Sequence, residues 1–321
     1  MDTGTGRGMI GAGTAMFAVG TLTAISAMIS GYPVFGGQAL RYAAAAAILF
    51  AVIALIDRRP GAAPAPPRPS LQDLALLAAL AATGLAAFNV CIVAATKDTG
   101  PATIGTVIAT VPVALALVGP LLERRRPAPP VVLAACVVTA GAALANGLGS
   151  GTVRGLLLAL GALGGEVCFS LLAVPLLPKL GPLRVSAWSA ALAAPMLLVV
   201  GLVADGRAVL RVPTGAELAG LAYLSVVVTT GAFLLWYDAL GRLGADRAGL
   251  FAGIVPISAV ITTVALGLGD PAPADLAGAA LVAAGVVVGL RPRSPRPSRP
   301  RPKAGPADGT TRVRRRVSRQ I

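Results

Sequence analysis

The sequence predicts an all-α integral membrane protein of ten transmembrane helices, built as two inverted five-helix repeats. Three observations predict it: a membrane-like composition, ten apolar runs long enough to cross a bilayer, and a self-similarity of the chain at a spacing of 144 residues. Of the 321 residues, 56% are hydrophobic and 12% charged, where a soluble domain carries about 25% charged residues. Mean hydropathy is +0.81. Alanine and glycine abound while aromatics make up 4%, as in closely packed membrane helices.

A helix needs about 20 apolar residues to cross roughly 30 Å of hydrocarbon. Runs of that kind, bounded by charges or by Pro/Gly-rich breaks, cover 9–29, 38–56, 71–95, 102–122, 130–147, 155–177, 185–204, 217–237, 248–268 and 274–290. The fifth and tenth are short. The first reads as a span rather than a signal peptide, because its apolar run is long and no A-x-A site ends it. The expected organisation is a cytoplasmic N-terminus (1–8), a first half (9–147), a second half (155–290) and a tail (291–321). DRRPGAAPAPPRPS (57–70) is a loop by composition.

The formal net charge of +14 is concentrated at one end. Residues 291–321 hold 11 of the 27 Lys and Arg and one of the 13 acids, which leaves +4 for the rest. This Pro-, Ser- and Arg-rich tail is expected to be disordered. It reads as a solvated topology anchor or as a clamp on anionic lipid headgroups. No aromatic residue interleaves with its arginines for base stacking, so nucleic acid is not an expected partner.

Basic residues fix the orientation. With the N-terminus inside, the cytoplasmic segments hold Arg7, Arg58, Arg59, Arg68, Arg124, Arg125, Arg126, Lys179, Arg184, Arg242 and Arg247, before the tail is added. The outward side holds Arg41, Lys97, Arg154, Arg207 and Arg211. Both termini are expected in the cytoplasm of a multi-pass protein of the plasma (inner) membrane.

Sliding the chain on itself by 144 residues brings 94–141 onto 238–285 without gaps. Gly100 meets Gly244, Gly105 meets Gly249, Pro112 meets Pro256, the Pro-Ala-Pro at 127–129 meets that at 271–273, and Gly141 meets Gly285. The first Pro-Ala-Pro follows three arginines, whereas the second follows Asp270 and carries no basic residue. Five helices per half put equivalent loops on opposite sides of the membrane, and the charge difference follows. Inverted halves are an architecture of secondary transporters, with the site near the midplane. Pro112 and Pro256, at equivalent places in the fourth and ninth spans, read as paired helix interruptions near such a site, or as simple kinks.

ALGRLGADRAGLFAGIVPISAVITTVALGLGDPAPADLAGAALVAAGVVVG (239–289), its earlier copy at 95–144, and LRYAAAAAILF (40–50) carry a resemblance to the EamA-type branch of the drug/metabolite transporter superfamily. The likeness covers everything but the tail. Two departures stand: the first-half acid is Glu123 without a preceding Gly, and the second-half pair is Gly269-Asp270 rather than Gly-Glu. The resemblance implies export or uptake of small organic solutes such as amino acids, metabolites or drugs, and no role for either acid.

Glu166 is the sharpest single feature. It lies 11 residues after Gly155, about 16 Å along its helix, where an ionised carboxylate costs at least ~2.5–3.5 kcal/mol. Ala162, Glu166 and Ser170 form an i, i+4 stripe, and Gly161 and Gly165 allow a close helix approach. Glu166 is therefore the candidate ion-coupling group, against the alternative of a protonated acid bonded between helices. Arg41, with Gln38 and Tyr42 beside it, is a candidate clamp for a solute carboxylate, or else snorkels to the outer interface. Asn89, Thr229 and Thr230 either bond solute or bond neighbouring helices. Trp188, Trp236 and Tyr237 fall near cytoplasmic helix ends, as an interfacial belt or an aromatic wall for solute. Trp236 and Tyr237 join Arg41, Gln38 and Asn89 as candidate solute-binding residues.

The chain has no histidine and no phosphate-binding Walker motif, and Cys91, Cys136 and Cys168 lie far apart in apolar runs. No catalytic residue, metal or cofactor is expected. The expected function is secondary active transport of a small-molecule solute across a lipid bilayer by alternating access, with efflux as the direction, proton coupling, and a monomeric or homodimeric state. The rival classes are a non-transporting membrane scaffold or receptor and a membrane-embedded enzyme; flux in protein-only liposomes separates them.

Overall fold

The computed structural model describes residues 3–59, 69–147, 151–267, 270 and 272–290. The tail expected to be disordered (291–321) and most of the Pro-rich loop (60–68) lie outside the described residues.

The described chain is helical. Nine stretches are long and apolar enough to cross a membrane, among the described residues. With α1 taken over its whole helix they are α1 (Thr3–Met28), α2 (Val34–Asp57), α3 (Leu71–Ala95), α4 (Pro101–Leu122), α5 (Pro129–Asn146), α6 (Val153–Leu171), α7 (Leu177–Asp205), α8 (Gly215–Leu243) and α9 (Ala245–Ala265). A tenth apolar helix, α10 (Pro273–Gly289), is shorter at 17 residues. Ten full spans therefore exceed what helix length alone supports. Three boundaries differ clearly from the sequence reading. α1 begins at Thr3 rather than residue 9, the sixth span stops at Leu171, not 177, and the eighth runs on to Leu243 rather than ending at 237. α7 is one helix by hydrogen bonding but breaks at Gly181 (φ +73°) before Pro182, so its straight part matches the expected 185–204.

Large apolar side chains such as Ile10, Leu133, Leu157 and Val203 point outward, as lipid-facing positions require. Small residues fill the seams between helices. α2 packs along α7 and α5 along α10, while α1 lies against α8 and α9 and α6 against α3 and α4. A shift of 144 residues maps α1–α5 onto α6–α10, so the packing of α1 on the second half repeats that of α6 on the first. Each half lends its first helix to the other.

The duplication extends to local structure. Ser70 caps α3 in a box with Asp73, and Thr214 caps α8 in a box with Glu217, 144 residues later. Each box satisfies N–H groups that a helix start leaves orphaned. Ser70→Ala and Thr214→Ala are each expected to cost about 1 kcal/mol, read as matching small drops in melting temperature of the detergent-solubilised protein. One π-helical stretch follows each box, Ala81–Ala87 in α3 and Leu224–Gly231 in α8. The fourth and ninth spans each change helix geometry before their prolines. α4 breaks at Ala109–Thr110, just before Pro112, and α9 narrows to a 3-10 turn over Gly249–Gly253, just before Pro256. Proline supplies no N–H to the preceding turn. Thr139 of α5 donates to the Ala109 carbonyl at 3.0 Å and satisfies one acceptor at the break.

Ion pairs gather at the helix ends and loops that a back-and-forth chain brings to the same end. At the end that holds the start of α1 are Arg184–Asp57 (2.8 Å), Lys179–Asp73 (2.9 Å), Arg242–Asp238 (2.7 Å) and Arg125–Asp246 (3.1 Å). The hydrogen bond to Asp246 raises Arg125 above the ordinary guanidinium value. Glu123 also pairs with Arg125, a structural role for the acid that departs from the family pattern. The opposite end holds Arg154–Asp98 (3.1 Å), Arg211 with Glu217, and a single bridge between Thr99 and Gly151 among the described residues.

Candidate functional site

The candidate residues converge where α2, α6, α7 and α8 meet. Arg41 sits two turns into α2 and is 5% exposed. It does not snorkel outward: its Nε donates to Thr229 Oγ1 at 2.6 Å, in the π-helical stretch of α8. Nη1 donates to Gln38 Oε1 at 3.2 Å, and the guanidinium lies 5.0 Å from the centre of the Tyr42 ring. The Thr229 hydroxyl in turn donates to the Leu224 carbonyl five residues back, at 2.9 Å. The widened turn thus presents an oxygen to a buried cation. Thr229→Val leaves that cation with one partner fewer and is expected to cost about 1–3 kcal/mol. Thermal unfolding checks this, and Thr229→Ser should restore most of the loss.

From Arg41 an aromatic path crosses to α6. Tyr42 and Phe233 have ring centres 6.3 Å apart, Phe233 and Phe169 4.8 Å, and Phe169 and Tyr237 5.1 Å. Tyr237 is 0% exposed and its hydroxyl has no well-formed hydrogen bond among the described residues; Ser189, Glu166 and Tyr42 are polar neighbours. Ser186, one turn before Ser189 on α7, is likewise buried, with a hydroxyl that has no partner among the described residues. Trp236 is 2% exposed and donates from Nε1 to Ser170 Oγ at 3.2 Å. The interfacial-belt reading of Trp236 and Tyr237 is therefore corrected: α8 continues to Leu243, so both lie within the helix and turn inward.

Glu166 is half-buried, on the stripe that carries the fully buried Ala162 and Ser170. Because α6 ends at Leu171, Glu166 lies about 20 Å along a helix of about 28 Å, past its middle. It makes no hydrogen bond or ion pair among the described residues. The close approach expected from Gly161 and Gly165 is present: a Cβ on Gly165 would sit 2.8 Å from the Thr83 carbonyl of α3, and one on Gly161 2.9 Å from Cys91 Sγ.

Arg41, Gln38, Trp236, Tyr237 and Glu166 are thus brought into one connected cluster. Asn89 is not joined to it; its amide donates to the Leu85 carbonyl of its own helix at 2.7 Å. Pro112 and Pro256 lie just after the break in α4 and the 3-10 turn in α9 and touch no member of the cluster by any described bond. The reading from sequence missed Phe169, Phe233, Ser186 and Ser189. The i, i+3 serines in SAWSAA were the available signal for the last two.

The family model for EamA-like transporters matches twice, over residues 6–147 and again over 153–291. The chain belongs to the EamA-like transporter family. The two matches fall on the two halves that share the 144-residue spacing. A curated relative of this EamA-like chain, named "Uncharacterized transporter YetK", from Bacillus subtilis (strain 168), is 25% identical over 255 residues, covering 77% of this chain and 76% of its own length. A solved structure titled "Crystal structure of protein" superimposes with a TM-score of 0.73 at 20% identity, over 90% of this chain and 97% of that one. That likeness concerns the fold. Membership makes the EamA-like chain a multi-pass membrane protein of a transporter family.

Proposed function

We propose that this protein is a secondary active carrier that exports small organic solutes across the plasma membrane, with Glu166 carrying the coupling proton. The observation that carries the reading is the central cluster. Two ionisable groups, Arg41 and Glu166, sit in the spanning helices without an ion-pair partner among the described residues, on helices from different halves. Charges in hydrocarbon are costly and are retained where they handle solute or protons. In this reading α10 completes ten spans as two inverted halves, both termini face the cytoplasm, and solute enters between the halves. Gln38, Trp236 and Tyr237 contact it beside Arg41. The breaks in α4 and α9 let each half bend while the cluster stays fixed.

The test is flux in liposomes containing the purified protein alone. Solid-supported membrane currents under an imposed pH gradient would be compared for amino acids, organic acids and lipophilic cations, with radiolabel exchange covering electroneutral movement. Movement of one solute class above protein-free liposomes supports the carrier. No current and no exchange for any class, with folded protein, would overturn it in favour of a scaffold or receptor.

A further inference from the structure

Arg41 is a buried cation whose surroundings leave part of its charge unanswered. A guanidinium carries five N–H groups. One goes to Thr229 and one to Gln38, both neutral acceptors, and Tyr42 covers a face of the plane. Nη2 meets no acceptor among the described residues, and no carboxylate pairs with the group there. The acids that might have served are engaged elsewhere: Asp57 with Arg184, Asp73 with Lys179, Glu217 with Arg211, Asp238 with Arg242 and Asp246 with Arg125. A buried charge with neutral partners alone is disfavoured relative to one that is paired. The fold holds the guanidinium rigidly by Nε and Nη1 and leaves the Nη2 edge for something else.

We propose that the transported solute bears a single carboxylate, which docks on the Nη2 edge of Arg41 and completes its charge. The inference rests on the carrier reading for its transport arm, and on geometry alone for its binding arm. The planar fork of arginine matches a carboxylate with two parallel hydrogen bonds. A phosphate dianion fits less well. Arg41 is the cation placed away from the two ends of the bundle, among the described residues, and its single charge is answered by a single carboxylate. The body of the solute lies toward Tyr42 and Phe233, which favours a flat or apolar substituent.

The purified full-length protein is tested by thermal stabilisation and by tryptophan fluorescence, since Trp236 lies in the cluster. The probes are acetate, 3-phenylpropionate and phenylalanine, each against its primary amide, with 2-phenylethyl phosphate as a further arm. The acid of at least one pair is expected to bind on the order of tenfold to a hundredfold more tightly than its amide. Arg41→Gln should erase that preference and Arg41→Lys should keep part of it. The wild-type comparison needs no mutant, so a variant that fails to fold does not remove the test. Equal binding of acid and amide, a preference that survives Arg41→Gln, phosphate binding as tight as the acid, or binding of no acid at all would each overturn the proposal. Acids that bind without flux would retain the carboxylate site at Arg41 and sink the carrier. Flux of amides or amines untouched by Arg41→Gln would retain the carrier and sink the carboxylate.

Discussion

Glu166→Gln is expected to yield a folded protein that exchanges solute across the membrane and no longer accumulates it against a pH gradient. Glutamine has nearly the volume of glutamate and bears no releasable proton. No ion pair or hydrogen bond of Glu166 is lost among the described residues, so the change removes a costly charge from hydrocarbon without leaving another one stranded. Melting temperature should therefore hold or rise. Gradient-driven uptake into liposomes should fall at least about tenfold, a loss of ~1.4 kcal/mol or more of coupling, while solute-for-solute exchange continues. Gradient-driven uptake at the wild-type rate would show that the coupling proton travels elsewhere.

One residue earlier, the expected effect is purely structural. Gly165→Leu should destabilise the protein severely. A Cβ there would lie 2.8 Å from the Thr83 carbonyl and 3.1 Å from Phe88 Cβ, and a Cβ on Gly84 would reciprocally lie 2.7 Å from Phe169 Cβ. α3 and α6 touch backbone to backbone, so neither can yield without parting. Overpacking of a tight seam costs typically about 1–3 kcal/mol, and the leucine adds three further carbons beyond that first clash. The matched control is Gly164→Leu, where nothing lies within 4 Å. That variant should be neutral or slightly stabilising, since an exposed helical glycine is worse than most residues by up to about 1 kcal/mol. Thermal unfolding of the two variants side by side decides it; equal melting temperatures would mean that the seam is not tight.

Much of the bundle was legible because the bilayer imposes a single rule on every span. Apolar length, the break prolines and the 144-residue spacing are properties of the chain itself, and each has a structural counterpart in α1–α10. Arg41 and Glu166 stood out because a charge in an apolar run has few explanations. Ends were read less well. Leu172–Leu176 is as apolar as the helix before it, so hydropathy does not reveal that α6 stops at Leu171. Trp236 and Tyr237 were misplaced for the mirror reason: α8 runs on through Asp238 and Arg242, whose charges pair with each other at a helix end. The π-helical stretches left no sequence signal either, because a widened turn depends on what packs against it. Thr229 takes on meaning once Arg41 is beside it in space, 188 residues away in the chain.

The exchange of first helices between the halves has a bearing on how the protein is made. α1 is synthesised well before α8 and α9, yet those helices carry its side-chain partners. Thr21 meets Tyr223 across 202 residues, and Ser258 donates to the Phe17 carbonyl across 241. Until α8 and α9 leave the ribosome, α1 waits in the lipid with its small-residue face unmatched, and α6 meanwhile seals onto helices already in place. The earlier half can thus close only around a helix that the later half supplies. A nascent chain halted before α8 therefore holds α1 in the bilayer without the two helices it packs against most extensively.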